Sequence, residues 1–552
     1  METLIQDVRY GLRMLRKNPG FTAAAVLTLA LGIGATTAIF SVVYGIVFRP
    51  LPYQHPERLV AVWTRSLAEP GVEGRSSMPD FKDWQAQNTV FESLALYGYN
   101  RYDLPDQQGG DSVRAATVGP EFFSLLGVKP LLGRALGPAD DRQRVAVLGY
   151  ELWQRAFHGD KAVVGKALRL RDHNFEIVGV MPASFRLPTP EVAIWMSLAD
   201  MYSISGKASV ADWMNDRGLR GYGVIGRLRA GVTLQQAQTQ MDALQFRLDH
   251  VFPKEDKDLA TLLVPLHTQV VGGVQHALLL FLGAVGFVLL IACVNVANLL
   301  LAKATVRERE IAVRVALGSG AGRIIRQILA ESALLGILGG LLGIALSFWA
   351  VEVFLRVTPP DIPRLQDIRI DGTVLSFALG ISMLASFFFG LVPALRMNSL
   401  GLHAPLRESG HGAGESSRTR QMRAALVVGE IALALVLVAG AGLMLQSFVR
   451  LALLKPGFAP DHLLTVDVMA SLERYARPEQ QTRYFNDILA AIRALPGVKS
   501  AGACTSMPPQ IVQESDSFSI AGRTPADTQK SPDAWYLPAT PGFLGTLGLP
   551  ML

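Results

Sequence analysis

Cysteine, charge and nucleotide-binding loops are all scarce in this sequence. Only two of the 552 residues are cysteine, Cys293 in an apolar block and Cys504 in a polar stretch. The different settings argue against a disulfide, and neither has a histidine at metal-ligand spacing. A disulfide scaffold and a zinc site are poor readings, and no cofactor is expected. Charged residues make up 18% of the chain, where a soluble protein would have about a quarter. The phosphate-binding pattern GxxxxGK[ST] does not occur. Gly165-Lys166 and Gly206-Lys207 lack both the upstream glycine and the following Ser or Thr. GxSxG and HExxH are missing as well. These absences leave little basis for an enzyme, and the scattered Asp and His of the polar stretches are expected to be surface residues.

What the sequence does have is hydrophobic residue, half of the total, gathered into five blocks. Each is long enough to cross a bilayer, which needs about 20 apolar residues. Ordinary globular stretches separate them. The net charge of +6 is also placed unevenly. Segments 1–20, 303–326 and 396–423 carry 4, 6 and 5 Lys/Arg against two acidic residues each. The basic excess therefore sits beside apolar blocks, as cytoplasmic loops require. No platform of aromatic and basic residues is present, so nucleic acid is not an expected partner.

Together these patterns predict a membrane α-helical bundle of five transmembrane helices with α+β extracytoplasmic domains. Residues 1–20 read as an amphipathic helix on the cytoplasmic face, with Ile5, Val8, Leu12 and Leu15 at helical spacing. Spans are expected at 21–48, 276–302, 327–357, 373–395 and 424–448. The first is too long for a signal-peptide core and has no cleavage site after it. Counting from a cytoplasmic N-terminus, 49–275 and 449–552 fall outside the cytoplasm. A short outer loop covers 358–372, and a cytoplasmic linker covers 396–423.

Within 49–275 the patterns mix. Residues 79–96 suit an amphipathic helix. Val145–Leu148, Phe175–Val180 and Gly223–Leu228 suit strands. Thr233 is a candidate N-cap with Gln236 three residues on. The motif GPEFFSLLGVKPLLG at Gly119–Gly133 returns as TPGFLGTLGLPML at Thr540–Leu552, pairing Pro120 with Pro541, Phe122 with Phe543 and Gly127 with Gly548. The second copy stops inside the motif, so 449–552 is expected to begin a second extracytoplasmic domain without finishing it.

Segment 303–326 is too charged to span. It predicts a short helix with an apolar stripe through Ile311 and Val315, broken by Gly318, Gly320 and Gly322. Such a helix on the cytoplasmic surface can dock a soluble partner, or it can be a stop-transfer cluster lying against lipid headgroups. In the third span Gly336 and Gly340 are four apart, as are Gly339 and Gly343. In the first, Gly32–Thr36 and Gly34–Ala38 repeat the spacing. These pairs permit close helix packing. Asn295 and Asn298 are polar groups in the second span that face protein or reach the interface. So few intramembrane charges fit mechanical coupling better than conduction.

The string RERE IAVRVALGSG (Arg307–Gly320), after CVNVANLLLAKA (Cys293–Ala304), resembles the coupling region of the MacB/FtsX-type ABC permeases. The N-terminal stretch Arg9–Val43 is similar to the start of the same family, above all to its large duplicated permeases with MacB-like periplasmic core domains. The resemblance implies that Arg307, Glu308, Glu310, Ile311, Arg314, Ala316, Leu317 and Gly318 contact a separate ABC ATPase subunit. It also implies the bacterial inner membrane, a homodimer or pseudo-dimer, membrane lipid and a periplasmic adaptor as surroundings. Two alternatives remain open: a membrane-anchored extracytoplasmic binding module or enzyme, and a truncated, inactive permease lacking spans six to eight.

Overall fold

The computed structural model describes residues 2–67, 73–104, 112–140, 143–170, 173–198, 215–253, 255–256, 258–306, 321–358, 364–399, 417–454, 457–466, 468, 475, 477–507, 515–518, 520 and 533–549. The helices, in chain order, are α1 (Glu2–Lys17), α2 (Pro19–Val43), α3 (Met78–Gln87), α4 (Phe122–Leu126), α5 (Tyr150–Phe157), α6 (Leu234–Val251), α7 (Leu266–Val306), α8 (Ala321–Val357), α9 (Gly372–Ser399), α10 (Ser417–Ala452), α11 (Pro478–Arg493) and α12 (Phe543–Thr546). The chain divides into two compact units: residues 1–49 with 270–452, and residues 50–269 with 453–552.

The first unit is helical. Five of its stretches are long and apolar enough to cross a membrane: Pro19–Phe48, Leu266–Lys303, Ile325–Val357, Gly372–Gly390 and Ala424–Ala452. A helix satisfies all its backbone groups internally, which is what an apolar solvent demands. The second of these helices starts at Leu266, ten residues before the apolar block itself. Its core joins Leu29 and Ile33 of α2, Val296 and Ala297 of α7, Leu335 of α8, and Ala385 and Phe389 of α9. The amphipathic α1 adds Leu15 to this core and keeps Leu12 exposed. On α10, Val428, Ile431, Leu435 and Val438 are exposed.

Among the described residues, the second unit is built on a mixed sheet of eleven strands, and Ser515–Ser517 pairs with Asp533–Trp535 in a separate two-stranded sheet. The eleven strands are β1 (Leu59–Ser66), β2 (Glu73–Gly74), β3 (Phe91–Asp103), β4 (Ser112–Val118), β5 (Leu132–Gly133), β6 (Val145–Leu148), β7 (Ala167–Leu170), β8 (His173–Val180), β9 (Val192–Ser197), β10 (Gly223–Leu228) and β11 (Leu259–Pro265). The order is β11-β1-β10-β3-β4-β9-β6-β8-β5, with β2 on β1 and β7 on β8. Pairing is antiparallel except for β4 with β9 and β6 with β8. α3 and α6 supply Trp84, Met241 and Leu244 to a core with Val60, Leu94 and Val224 of the sheet. Inside that core the Trp84 indole donates to Gln245 Oε1 at 3.2 Å.

Residues 79–96 are not one helix. α3 ends at Gln87, and Phe91 opens β3. Asn88 makes the break. Its side-chain nitrogen donates to the Trp84 carbonyl (2.7 Å), while its Oδ1 accepts the Phe91 amide (3.0 Å). Pairing of Phe91–Tyr97 with β10 then outweighs the helical spacing.

Thr233 caps α6 reciprocally with Gln236, at 3.2 Å to the Gln236 amide and 2.9 Å back from the Thr233 amide. Thr233→Ala is expected to cost about 1 kcal/mol locally. Faster amide exchange over the first turn of α6, with β10 unchanged, is the readout.

The two copies of the repeated motif share their exit but not their entry: Glu121 precedes the first helix at φ −84°, Gly542 the second at φ +88°. Phe122 opens α4 and Phe543 opens α12, and both are buried. Gly127 and Gly548 follow at φ +66° and +73°, a left-handed conformation that glycine adopts without strain. The carbonyl before each glycine accepts a distant amide: Leu126 from Gln54 (3.1 Å), and Leu547 from Ala459 (3.0 Å). In the first copy the buried Arg227 of β10 also donates to the Gln54 carbonyl (2.7 Å) and to the Leu125 carbonyl.

Candidate functional site in the helical unit

The ATPase-coupling candidates Arg307, Glu308, Glu310, Ile311, Arg314, Ala316, Leu317 and Gly318 lie outside the described residues, as does Gly320. Gly322 lies within the first turn of α8.

The ends of the elements flanking this segment are described. Lys303, near the end of α7, pairs with Glu331 of α8 at 3.5 Å. Its ammonium also sits 4.4 Å from the centre of the Phe21 ring on α2. Glu331 is only 6% exposed. A carboxylate that dry needs a partner, and Lys303 provides one. A side chain at Gly11 of α1 would meet Leu334 at 2.7 Å and Glu331 at 3.8 Å. The two strands of chain leading to and from segment 307–320 are thus tied together, with α1 against one of them.

The small residues of the third span face two different neighbours. A Cβ at Gly339 would lie 2.7 Å from the Leu29 Cβ, and one at Gly343 would lie 3.1 Å from both the Ala30 carbonyl oxygen and the Gly34 nitrogen. Those residues belong to α2. Gly336 and Gly340 face Ser386 and Ser382 of α9, and Ser382 Oγ donates to the Gly336 carbonyl at 2.7 Å. The two overlapping GxxxG pairs are therefore two seams, one on each side of α8. On α2, Gly34 belongs to the seam with α8, while Gly32 faces Leu289 and Ala292 of α7. Thr36 Oγ1 donates to the Gly32 carbonyl at 2.8 Å. Asn295 and Asn298 of α7 are half-buried. Asn298 Oδ1 has no hydrogen-bond partner among the described residues.

In the sheet unit, a cleft of about 280 Å³ is lined by Arg114, Arg155, Arg186, Glu151, Glu191 and Trp195, among others. Its charges are matched within the chain: Arg186 bonds Glu151 at 2.8 Å and Arg114 bonds Glu191 at 3.3 Å. Among the described residues, no three His, Cys, Asp or Glu converge as metal ligands.

Sequence reasoning missed a buried charge network in the same unit. Asp80 and Asp256 are fully buried rather than superficial. Arg217 donates to Asp80 (2.7 Å), Asp256 (3.2 Å) and Asp83, and lies 3.7 Å from the centre of the Phe252 ring. Arg220 donates to Asp256 (2.7 Å) and Asp80. Burial, then repulsion from Asp80, pushes the Asp256 carboxyl up to about 6 against the pull of both arginines. Asp140 is likewise buried, held by Arg134 at 2.6 and 2.7 Å. The hydrogen bond from Arg134 keeps its carboxyl below the usual range, against a desolvation that acts the other way.

Two family models match consecutive stretches of the chain. The MacB-like periplasmic core domain matches residues 22–244, and the FtsX-like permease C-terminal domain matches 282–402. The macrolide export ATP-binding/permease protein MacB of Bdellovibrio bacteriovorus is 24% identical over 400 residues, covering 71% of this chain and 58% of that protein. Its counterpart in Salmonella typhi is 26% identical over 314 residues, covering 56% and 44%. The chain thus spans about half the length of the curated relatives it matches. The periplasmic region of MacB from Actinobacillus actinomycetemcomitans covers 39% of this chain and 92% of its own, at 14% identity and a TM-score of 0.29. The extracellular domain of the ABC-type transporter YknZ covers 37% and 99%, at 11% identity and a TM-score of 0.28. Five apolar helices, a mixed-sheet domain between the first two and both domain models in the same order agree: the chain belongs to the MacB/FtsX-type ABC transporter permease family of the bacterial inner membrane.

Proposed function

We propose that this chain is a permease subunit that converts ATP hydrolysis by a separate ABC ATPase into motion of its extracytoplasmic domain. The observation that carries this reading is the charged segment 303–326. It joins two helices able to cross a membrane, and the chain on either side of it is tied by Lys303 and Glu331. A push on Arg307–Gly318 from the cytoplasm would reach α7 and α8 together. α8 packs tightly on α2 and α9 through the glycine seams, so the push spreads through the bundle. The sheet domain enters and leaves through α2 and α7 and would move with them.

In this reading the N-terminus and segments 303–326 and 396–423 are cytoplasmic, and 49–275, 358–372 and 449–552 are outside. The matched motif geometry at Phe122–Gly127 and Phe543–Gly548 supports 449–552 as part of a second periplasmic core domain. In this reading ATP is hydrolysed in the partner. A second copy of the permease completes the assembly, and a periplasmic adaptor receives the motion. The relatives' names point to export, and the bundle interior has few charges to conduct a polar solute, so the cargo is moved by the extracytoplasmic domain.

Reversing Arg307, Arg309 and Arg314 to Glu should strip the ATPase from the full-length protein in a membrane pull-down. The same loss of charge at Arg9 and Arg13 should not. ATPase recovery at the unmutated level would remove the docking role of this segment. Cysteine labelling should reach position 312 only from the cytoplasmic side.

A further inference from the structure

The chain leaves the first span through a single turn of π-helix, Tyr44–Phe48, and Arg49 follows in extended conformation. Widening the helix there leaves carbonyls at its end in need of donors. They find them in the loop between α8 and α9. Arg364 Nη1 donates to the Arg49 carbonyl at 2.6 Å and to the Ile46 carbonyl at 3.1 Å. Its Nε is held by Asp367 at 2.8 Å.

The contact is reciprocal. Arg49 Nη1 donates to the Asp367 carbonyl at 2.6 Å, and Nη2 pairs with the Asp371 carboxylate. Asp371 in turn accepts the amides of Thr373 and Val374 at 3.1 and 3.2 Å and so caps α9. Backbone packing closes the joint: a Cβ at Gly45 would lie 3.0 Å from the Asp367 oxygen and 3.0 Å from the Ile368 Cα. The Arg364 side chain is 7% exposed and that of Arg49 16%. Charge-assisted bonds in so dry a setting, with Arg49 spanning two acceptors and Arg364 three, hold both position and angle.

We infer that Arg49, Arg364, Asp367 and Asp371 form a clamp that makes the outer end of the first span and the α8–α9 loop one rigid body, and that this clamp is the route by which motion of α8 and α9 reaches the extracytoplasmic domain. Arg49 is bonded directly to Pro50, the first residue of the sheet unit. Anything that displaces the loop therefore pulls on the first peptide of that unit. The glycine seam holds α2 against α8 along their length, and the crossed hydrogen bonds of the clamp fix the end of α2 to the loop. The transmission half of this inference rests on the coupling function proposed above; the rigid joint does not.

The test uses the full chain in nanodiscs with Cys293 and Cys504 replaced. Spin labels are placed at Phe48→Cys and Leu375→Cys, both exposed positions. The expected result is a single narrow distance distribution that is lost in Arg49→Ala and in Arg364→Ala. The charge exchange Arg49→Asp with Asp371→Arg should restore part of it, a rescue that general destabilisation would not give. A distribution that stays narrow in Arg49→Ala overturns the clamp. The second arm adds the partner ATPase and follows ATP-dependent movement between labels on the sheet unit and on α9. Arg49→Ala should keep ATP hydrolysis and lose the movement. Movement that persists while the first distribution broadens overturns the transmission route and leaves the coupling function standing. Failure of any ATPase to bind the unmutated chain overturns the coupling function and leaves the clamp to be judged by its own arm.

Discussion

Gly343→Val is expected to leave little folded permease in the membrane, and Gly339→Val nearly as little. At both positions the new side chain meets α2 where that helix cannot yield. A Cβ at Gly343 would press on the Ala30 carbonyl oxygen and the Gly34 nitrogen at 3.1 Å, and Gly34 faces the Gly343 oxygen at 3.0 Å in return. These neighbours are backbone, so no rotamer change relieves the contact. Overpacking a well-filled core costs about 1–3 kcal/mol, and forcing two helices apart lies at or above the top of that range. No compensating hydrophobic gain is available, because lipid solvates a valine as well as a helix does. Gly283 and Gly286 on α7 are the controls, since a Cβ at either meets nothing within 4 Å. Replacing them with alanine should be neutral or slightly stabilising, because glycine in a helix interior costs roughly 1 kcal/mol against alanine. The measurement is the fraction of monodisperse protein after solubilisation and its melting temperature. A Gly343→Val protein that melts with the unmutated one would mean that the α2–α8 seam is loose. Gly336→Val tests the other face of α8, where Ser382 and Ser386 of α9 are in the way. Its effect should be comparable, because turning the Ser386 hydroxyl aside leaves its Cβ at 3.0 Å and the Ser382 carbonyl oxygen at 3.3 Å, and breaks the bond from Ser386 Oγ to the Ser382 carbonyl.

The glycines also mark how far the sequence reaches. Four-residue spacing places Gly336 with Gly340 and Gly339 with Gly343, but a one-residue offset does not tell whether one neighbour or two are being served. The structure assigns one pair to α9 and the other to α2. The hydrophobic blocks were legible because a bilayer imposes length and composition directly. The Thr233 cap was legible because its partner is three residues away. The same holds for Val145–Leu148 and Gly223–Leu228, whose flanking turns mark their ends. The Phe and Gly of the repeat could be read because a positive φ restricts which residue can stand there. Residues 79–96 misled because the signal that splits them is a single asparagine bonding in both directions. The Arg49–Asp371 bond left no trace in the sequence, since the two residues are 322 apart. Neither did the buried acidic network. An aspartate on an amphipathic helix reads as a solvated residue until the fold brings an arginine to it, and Arg217 lies 137 residues beyond Asp80.

That network yields the second large effect. Asp80→Ala should destabilise the sheet unit by about 3–5 kcal/mol, the range for removing one partner of a buried ion pair. Both arginines lose an acceptor at once, Arg217 from Asp80 Oδ1 and Arg220 from Oδ2, and neither can turn outward without abandoning Asp256. Asp256→Asn should behave differently. Asp256 is the carboxylate with the raised value, about 6 against an ordinary 3.8. The folded state therefore keeps its proton at pH values where the unfolded state has lost it. The resulting stabilisation is complete below about pH 4 and is lost as pH rises through 6, amounting to at most about 3 kcal/mol for a shift of two units. At neutral pH the ionised Asp256 is thus held against burial and the Asp80 charge. Asparagine retains an oxygen for Arg220 and removes that repulsion. Asp256→Asn is accordingly expected to change stability little at pH 7 and to flatten the fall in stability between pH 4 and 6. Amide exchange in α3 and around Tyr222, measured on the full-length protein at both pH values, reads both variants. If Asp80→Ala cost less than about 1 kcal/mol, the arginines would have to reach water, and the network would count only as a surface ion pair.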